Sequence, residues 1–173
     1  ISARLERDTW DSTVVMFVAL TWSCDMLPCV GAERGTDDSD GEPSRCSEEM
    51  AEAVAKANKA ARVEPTRAGY INAIQVYPWT DGALYRLYAS PEKVSTIVLQ
   101  PGEELIDVSA GDTVRWVVGD TASGQGAGRR VHILIKPTLA DIQTNLVVLT
   151  DRRSYHVELV STKQTYMASI SWT

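Results

Sequence analysis

Three observations predict an all-β fold for the larger part of this chain. From Tyr70 onward, short runs rich in Val, Ile, Tyr and Trp recur about every ten positions. Gly, Pro, Asp or Ser residues punctuate the runs, notably Pro78, Gly82, Pro91, Pro101, Gly102, Gly111 and Pro137. Within the runs apolar residues fall at every second position, as in Val114, Trp116 and Val118, in Val131, Ile133 and Ile135, and in Tyr166, Ala168, Ile170 and Trp172. These three sets are the expected core face. The expected architecture is an antiparallel, immunoglobulin-like β-sandwich of about nine short strands, preceded by a short N-terminal helix and an irregular extension.

Taken in order, residues 1–45 form the extension, 46–69 a helix and connector, and 70–173 the sandwich domain. The apolar block at 13–23, TVVMFVALTWS, has the length of an export-signal core and is too short to span a bilayer as a helix. Val30, Gly31 and Ala32 resemble a cleavage site, although Glu6, Asp8 and Asp11 stand where such a signal is positive; a buried strand or helix and a poorly packed extension are the other readings. Residues 33–45 are acidic, rich in Gly, Ser and Asp, and lack the apolar side chains that drive ordering, which reads as a linker. Ser47 is the expected N-cap of a helix over 48–62, with Glu48, Glu49 and Glu52 near the positive end of its dipole and Lys56, Lys59 and Arg62 near the negative end. Its stripe of Met50, Val54, Ala57 and Ala61 suits a neighbouring subunit as well as its own domain.

The candidate strands are 70–77, 83–89, 94–99, 104–108, 113–118, 130–136, 144–150, 154–160 and 165–172. The hairpin at 144–160 combines a continuous apolar arm, Leu146 to Leu149, expected to be covered on both faces, with an alternating arm that sets Tyr155, Val157 and Leu159 inward and His156 and Glu158 outward. Asp151, Arg152, Arg153 and Ser154 read as its solvated turn.

At 173 residues the chain supports one core. Its net charge of -6 sits mostly in residues 1–70, with 8 basic and 13 acidic side chains, against 9 and 10 in residues 71–173. An isoelectric point near 4.9 with no basic run argues against direct nucleic-acid binding. The cysteines, Cys24, Cys29 and Cys46, all precede the strands. They read as incidental thiols or as a Cys24–Cys29 disulfide, and with no nearby His they do not suggest a metal site.

The Gly-rich segment GDTASGQGAG at 119–128 lacks the Gly-Lys-Ser/Thr ending of a phosphate cradle and reads as a mobile loop of the kind partners touch. Asp151, Ser154 and His156 supply the residue types of a hydrolytic triad, but on an extended strand Ser154 and His156 stand about 7 Å apart, beyond hydrogen-bond reach. His132 is isolated. No catalytic residue, cofactor or metal is expected. Tyr77, Trp79, Tyr85 and Tyr88 surround one hairpin, which leaves a carbohydrate-binding β-sandwich built around Trp79 as the alternative function.

NAIQVYPWTDGALYRLYASPEKVSTIVLQPGEEL at 72–105, AGDTVRWVVGDTASGQG at 110–126, RRVHILIKPT at 129–138 and TNLVVLTDRRSYHVELVSTKQTYMASISW at 144–172 carry a closer resemblance. In order and spacing they resemble the TrbG family of conjugal-transfer proteins, relatives of the ninth VirB subunit that include CagX. The resemblance implies a non-catalytic, periplasmic subunit of a type IV secretion system, associated with the outer membrane through partner subunits. It implies an N-terminal β-sandwich in the inner layer of a homo-oligomeric ring, and a C-terminal β-domain that binds a small lipoprotein and a scaffold related to the tenth VirB subunit. This chain ends at Trp172 and Thr173, where the family continues, so the lipoprotein-binding domain is not expected within it. Candidate subunit contacts are Trp79, Arg129, Arg130, Arg152 and Arg153.

Overall fold

Alternating burial governs the chain once its single described α-helix ends. The computed structural model describes residues 45–173. The apolar block at 13–23, the acidic segment up to residue 44, and Cys24 and Cys29 lie outside the described residues. Cys46 is disulfide-bonded, which corrects the expectation of incidental thiols at that position.

Helix α1 (Arg45–Ala61) starts ahead of Ser47, so Ser47 is not its N-cap. Met50 and Val54 remain 69% and 57% exposed, so the stripe seen in the sequence is uncovered. The helix runs straight into β1 (Arg62–Val63). There follow β2 (Tyr70–Ile71), β3 (Ile74–Tyr77), β4 (Leu84–Ala89), β5 (Ser95–Val98), β6 (Leu105–Ala110), β7 (Trp116–Ser123), β8 (Arg130–Pro137), β9 (Gln143–Thr150), β10 (Ser154–Ser161) and β11 (Ser169–Trp172).

One sheet has the order β1-β4-β10-β9-β6 and the other β2-β3-β11-β5-β8-β7, with one core between them. That core takes every second residue of β4, β8 and β10 and is filled by Tyr77, Tyr85, Leu87, Ile97, Trp116, Ile133, Ile135, Leu146, Tyr155, Leu159 and Ile170. The expectation of a purely antiparallel sandwich is corrected. β10 runs parallel to β4, β1 runs parallel to β4, and β11 runs parallel to both β3 and β5. Period-two alternation specifies a strand's face but carries no information on the direction of its neighbour. The chain between β4 and β10 passes through the second sheet and supplies the long crossover that parallel neighbours require.

Local chemistry explains the other departures. The strand expected at 70–77 breaks at Asn72, which takes a left-handed φ of 55° between β2 and β3. At the start of β7, Asp112 Oδ1 accepts hydrogen bonds from Val114 N at 3.1 Å and Arg115 N at 3.0 Å. This side-chain turn delays the strand to Trp116 and leaves Val114 87% exposed, contrary to its place in the expected core face. Tyr166 is also exposed, lying ahead of β11 with the Lys93 ammonium 5.8 Å from its ring centroid. Leu149 is exposed while Leu146 and Val148 are buried, so β9 is covered on one face only.

The Gly-rich segment is largely strand. Residues 119–123 pair with residues 130–134, which reduces the expected loop to a short turn containing a 3-10 helix at Gly126–Gly128.

Candidate assembly surface

The sandwich is open along one side, where β6 ends one sheet and β7 ends the other. Two adjoining hollows of about 620 and 430 Å³ lie between these strands. Val108 and Asp120 line both, Ala110, Trp116 and Val118 floor the apolar part, and Glu104, Asp107 and Arg129 surround the polar part. Among the described residues both strands also present an unpaired edge. β7 carries eight residues there without a Pro or Lys, the residues that usually block edge pairing. Ile106 and Val117 project from these strands 68% and 57% exposed. Buried Trp116 lines the cleft, and its indole Nε1 has no hydrogen-bond partner among the described residues.

Just beyond the polar end of this mouth the two sheets are fastened together. Glu103 is 1% exposed. Its carboxylate accepts from Tyr155 Oη at 2.8 and 2.9 Å, from Thr150 Oγ1 at 2.7 Å and from Gln100 N at 3.1 Å, while Arg153 Nε stands 3.7 Å away. Burial, and then the hydrogen bond to Glu103, raise the Tyr155 hydroxyl well above the ordinary tyrosine range. The Arg153 guanidinium lies over Trp79 and Tyr155, 5.2 and 5.5 Å from the ring centroids. Tyr155 in turn packs on Trp172 with centroids 4.3 Å apart, and Trp172 meets Tyr85 edge-on at 5.3 Å.

The neighbouring turns interlock over this cluster. Asp151 Oδ1 accepts from Glu104 N at 2.8 Å, and Arg152 donates from Nη2 to Gly102 O at 2.8 Å. Gly102 has a φ of 69°, a conformation open to glycine, and a Cβ there would approach the same Arg152 nitrogen.

At the opposite edge of the first sheet, an ion cluster holds β1. Arg62 donates to Glu158 at 2.6 and 2.9 Å, Arg86 donates to the same carboxylate at 2.8 Å and lies 3.1 Å from Glu64, and Tyr88 Oη donates to Glu64 at 3.0 Å. The Arg62 hydrogen bonds, followed by that of Arg86, hold the Glu158 carboxyl below its usual range. The cluster therefore anchors the strand from which α1 departs.

The five candidate contact residues separate into two groups. Trp79 and Arg153 are engaged with each other: Trp79 Nε1 donates to Ser154 O at 3.4 Å, and the Arg153 side chain is only 15% exposed. The expectation of a wholly solvated turn is corrected at Arg153, because Trp79, distant in sequence, and the nearby Tyr155 draw it inward. Arg152 is exposed but tied to the 101–102 turn. Arg129 and Arg130 remain exposed, and Arg129 lines the mouth.

Tyr77 and Tyr85 are core residues, so no aromatic platform assembles around Trp79. Asp151, Ser154 and His156 do not assemble either, since Asp151 is occupied by the Glu104 amide; His132 Nε2 lies 2.6 Å from Ser123 Oγ across the β7–β8 pair. The sequence reading missed Glu103. Nothing local distinguishes it from Glu104 beyond the alternation that turns adjacent residues to opposite sides.

Among known proteins, the model of the CagX family of conjugal transfer proteins matches residues 72–173. A probable conjugal transfer protein TrbG from Sinorhizobium fredii (strain NBRC 101917 / NGR234) is 42% identical over 83 residues, which cover 48% of this chain and 31% of that protein. The match thus spans about a third of the relative's length. Among solved structures, the Entamoeba histolytica cysteine protease inhibitor EhICP2 aligns at 17% identity with a TM-score of 0.38, covering 51% of this chain and 94% of that one. A similarity at that level supports no conclusion about fold or function.

Proposed function

This chain belongs to the CagX family of conjugal transfer proteins, and from that premise we propose that it is a non-catalytic structural subunit of a type IV secretion core complex. In this reading it lies in the periplasm and joins the outer membrane through partner subunits. Its sandwich forms part of a ring, with a lipoprotein and a scaffold subunit as partners in the complex. The observation that carries the proposal is the family match over residues 72–173, which hold β3 to β11. The open mouth supports it: apolar side chains and free strand edges displayed together have the character of an association surface.

The test is assembly. The full-length protein, mixed with its scaffold and lipoprotein partners, is measured by mass photometry and imaged by electron microscopy. Closed rings are the expected result, and a population containing only monomers overturns the proposal.

A further inference from the structure

The mouth and α1 lie at opposite edges of one sheet. β6 forms one edge, and β1, which continues directly from α1, forms the other. A contact between α1 of one copy and the mouth of another is therefore head-to-tail, the heterologous kind that closes into rings. We propose that the apolar stripe of α1 docks between β6 and β7 of the neighbouring copy. The proposal rests on the ring reading above and names the contact that builds the ring.

Size, surface and charge all favour this occupant. α1 has 17 residues and is about 25 Å long, while the six residues of β6 span about 20 Å. The stripe is exposed at Met50, Val54 and Ala57, and Ala53 and Ala60 beside it are small enough for a helix backbone to approach a shallow cleft closely. The floor opposite is Val108, Ala110, Trp116 and Val118.

Charge fixes the register. At about 100° per residue, Glu49 and Lys56 fall on one flank of the stripe, about 10 Å apart along the axis. In the mouth, Asp120 pairs with Ile133, and Arg129 lies four residues before Ile133, about 13 Å away along the strand axis. Glu49 therefore reaches Arg129 when Lys56 reaches Asp120, with Asp107 lining the same hollow.

The experiment uses the full-length protein with its partner subunits, prepared from a mixture of unlabelled and ¹⁵N-labelled copies. Assembled rings are treated with a zero-length carbodiimide cross-linker and analysed by mass spectrometry. The expected product joins Lys56 of one copy to Asp120 or Asp107 of another, with one light and one heavy peptide. Lys56→Glu and Asp120→Lys should each lower ring yield about tenfold, and the two together should restore it. Unchanged melting temperatures verify that each variant folds, since both side chains are exposed.

Rings whose Lys56 links stay within one isotopic form mean that α1 covers its own mouth, which overturns the proposal. Rings without the link, a mouth linked to the scaffold or lipoprotein instead, or a double variant that fails to recover, also overturn it while leaving ring formation intact. Absence of rings from the unmodified protein overturns both.

Discussion

Glu103 and Glu104 are neighbours just ahead of β6, yet they belong to opposite kinds of structure. Glu103 turns inward and is enclosed by Tyr155, Thr150 and Arg153, where the turns at 100–104 and 150–154 lock together. Glu104 turns outward and lines a cleft whose strands have unpaired edges and whose apolar side chains face solvent. A buried carboxylate is tolerable only when its oxygens are fully hydrogen-bonded, and that requirement makes the closed end rigid. The open end carries no such constraint. The contrast teaches that β6 is held firmly at its start so that the rest of it can present a defined edge to a partner.

The comparison breaks most clearly at the aromatic stack behind Glu103. Trp172 contacts Tyr77, Tyr85 and Tyr155. Trp172→Ala should cost about 3–5 kcal/mol in denaturant unfolding, because the remaining rings cannot fill its volume. A loss below about 1 kcal/mol would place the stack outside the cooperative core.

The adjacent acids provide the next test. Glu103→Gln keeps the shape but replaces an acceptor-only group with one that also donates, so a hydroxyl or amide loses its partner. We expect a loss of about 1–3 kcal/mol. Glu104→Gln should change stability by no more than about 0.5 kcal/mol. Equal losses at the two positions would remove the distinction between the closed and open ends.

How much of this the sequence announces depends on how local each determinant is. The faces of β8 and β10 are legible because alternation is a property of consecutive residues: Val131, Ile133 and Ile135, and Tyr155, Val157 and Leu159, point inward as their spacing requires. Val114 obeys the same spacing but is exposed, since the Asp112 turn postpones the strand. The parallel pairing of β4 with β10 has no local signature. Arg153 and Glu103 read as solvated charges because groups far away in sequence draw them inside, Trp79 in one case and Tyr155 and Thr150 in the other. The mouth was half legible. Its apolar residues are visible in the strand patterns, but which strands remain at sheet edges depends on the tertiary arrangement.

The β1 ion cluster is a smaller, pH-dependent part of the closed framework. Glu158 has a lowered folded pKa, so its contribution is fully present above its unfolded value near 4.5 and is lost as pH falls through the folded value. Glu158→Gln should therefore lower the melting temperature by a constant amount above about pH 5.5, and the difference from the parent should shrink as the solution is made more acidic. A difference that widens in acid would reverse the sign assigned to this carboxylate. The effect should be modest, because Arg62 and Glu158 are both partly exposed.

The smallest expected effect on stability is also the most informative about function. Ile106 and Val117 are exposed on the two edge strands, so Ile106→Thr and Val117→Thr remove apolar surface while keeping β-branched side chains suited to a strand. Neither should shift unfolding by more than about 0.5 kcal/mol. Both should weaken association if the mouth is an assembly surface, because the apolar area that gains by leaving water would be reduced on that side alone. Melting curves and mass photometry on the same preparations separate the two effects. A marked loss of stability with unchanged association would make the cleft part of the monomer's own core and erase the difference between the fastened and open ends of β6.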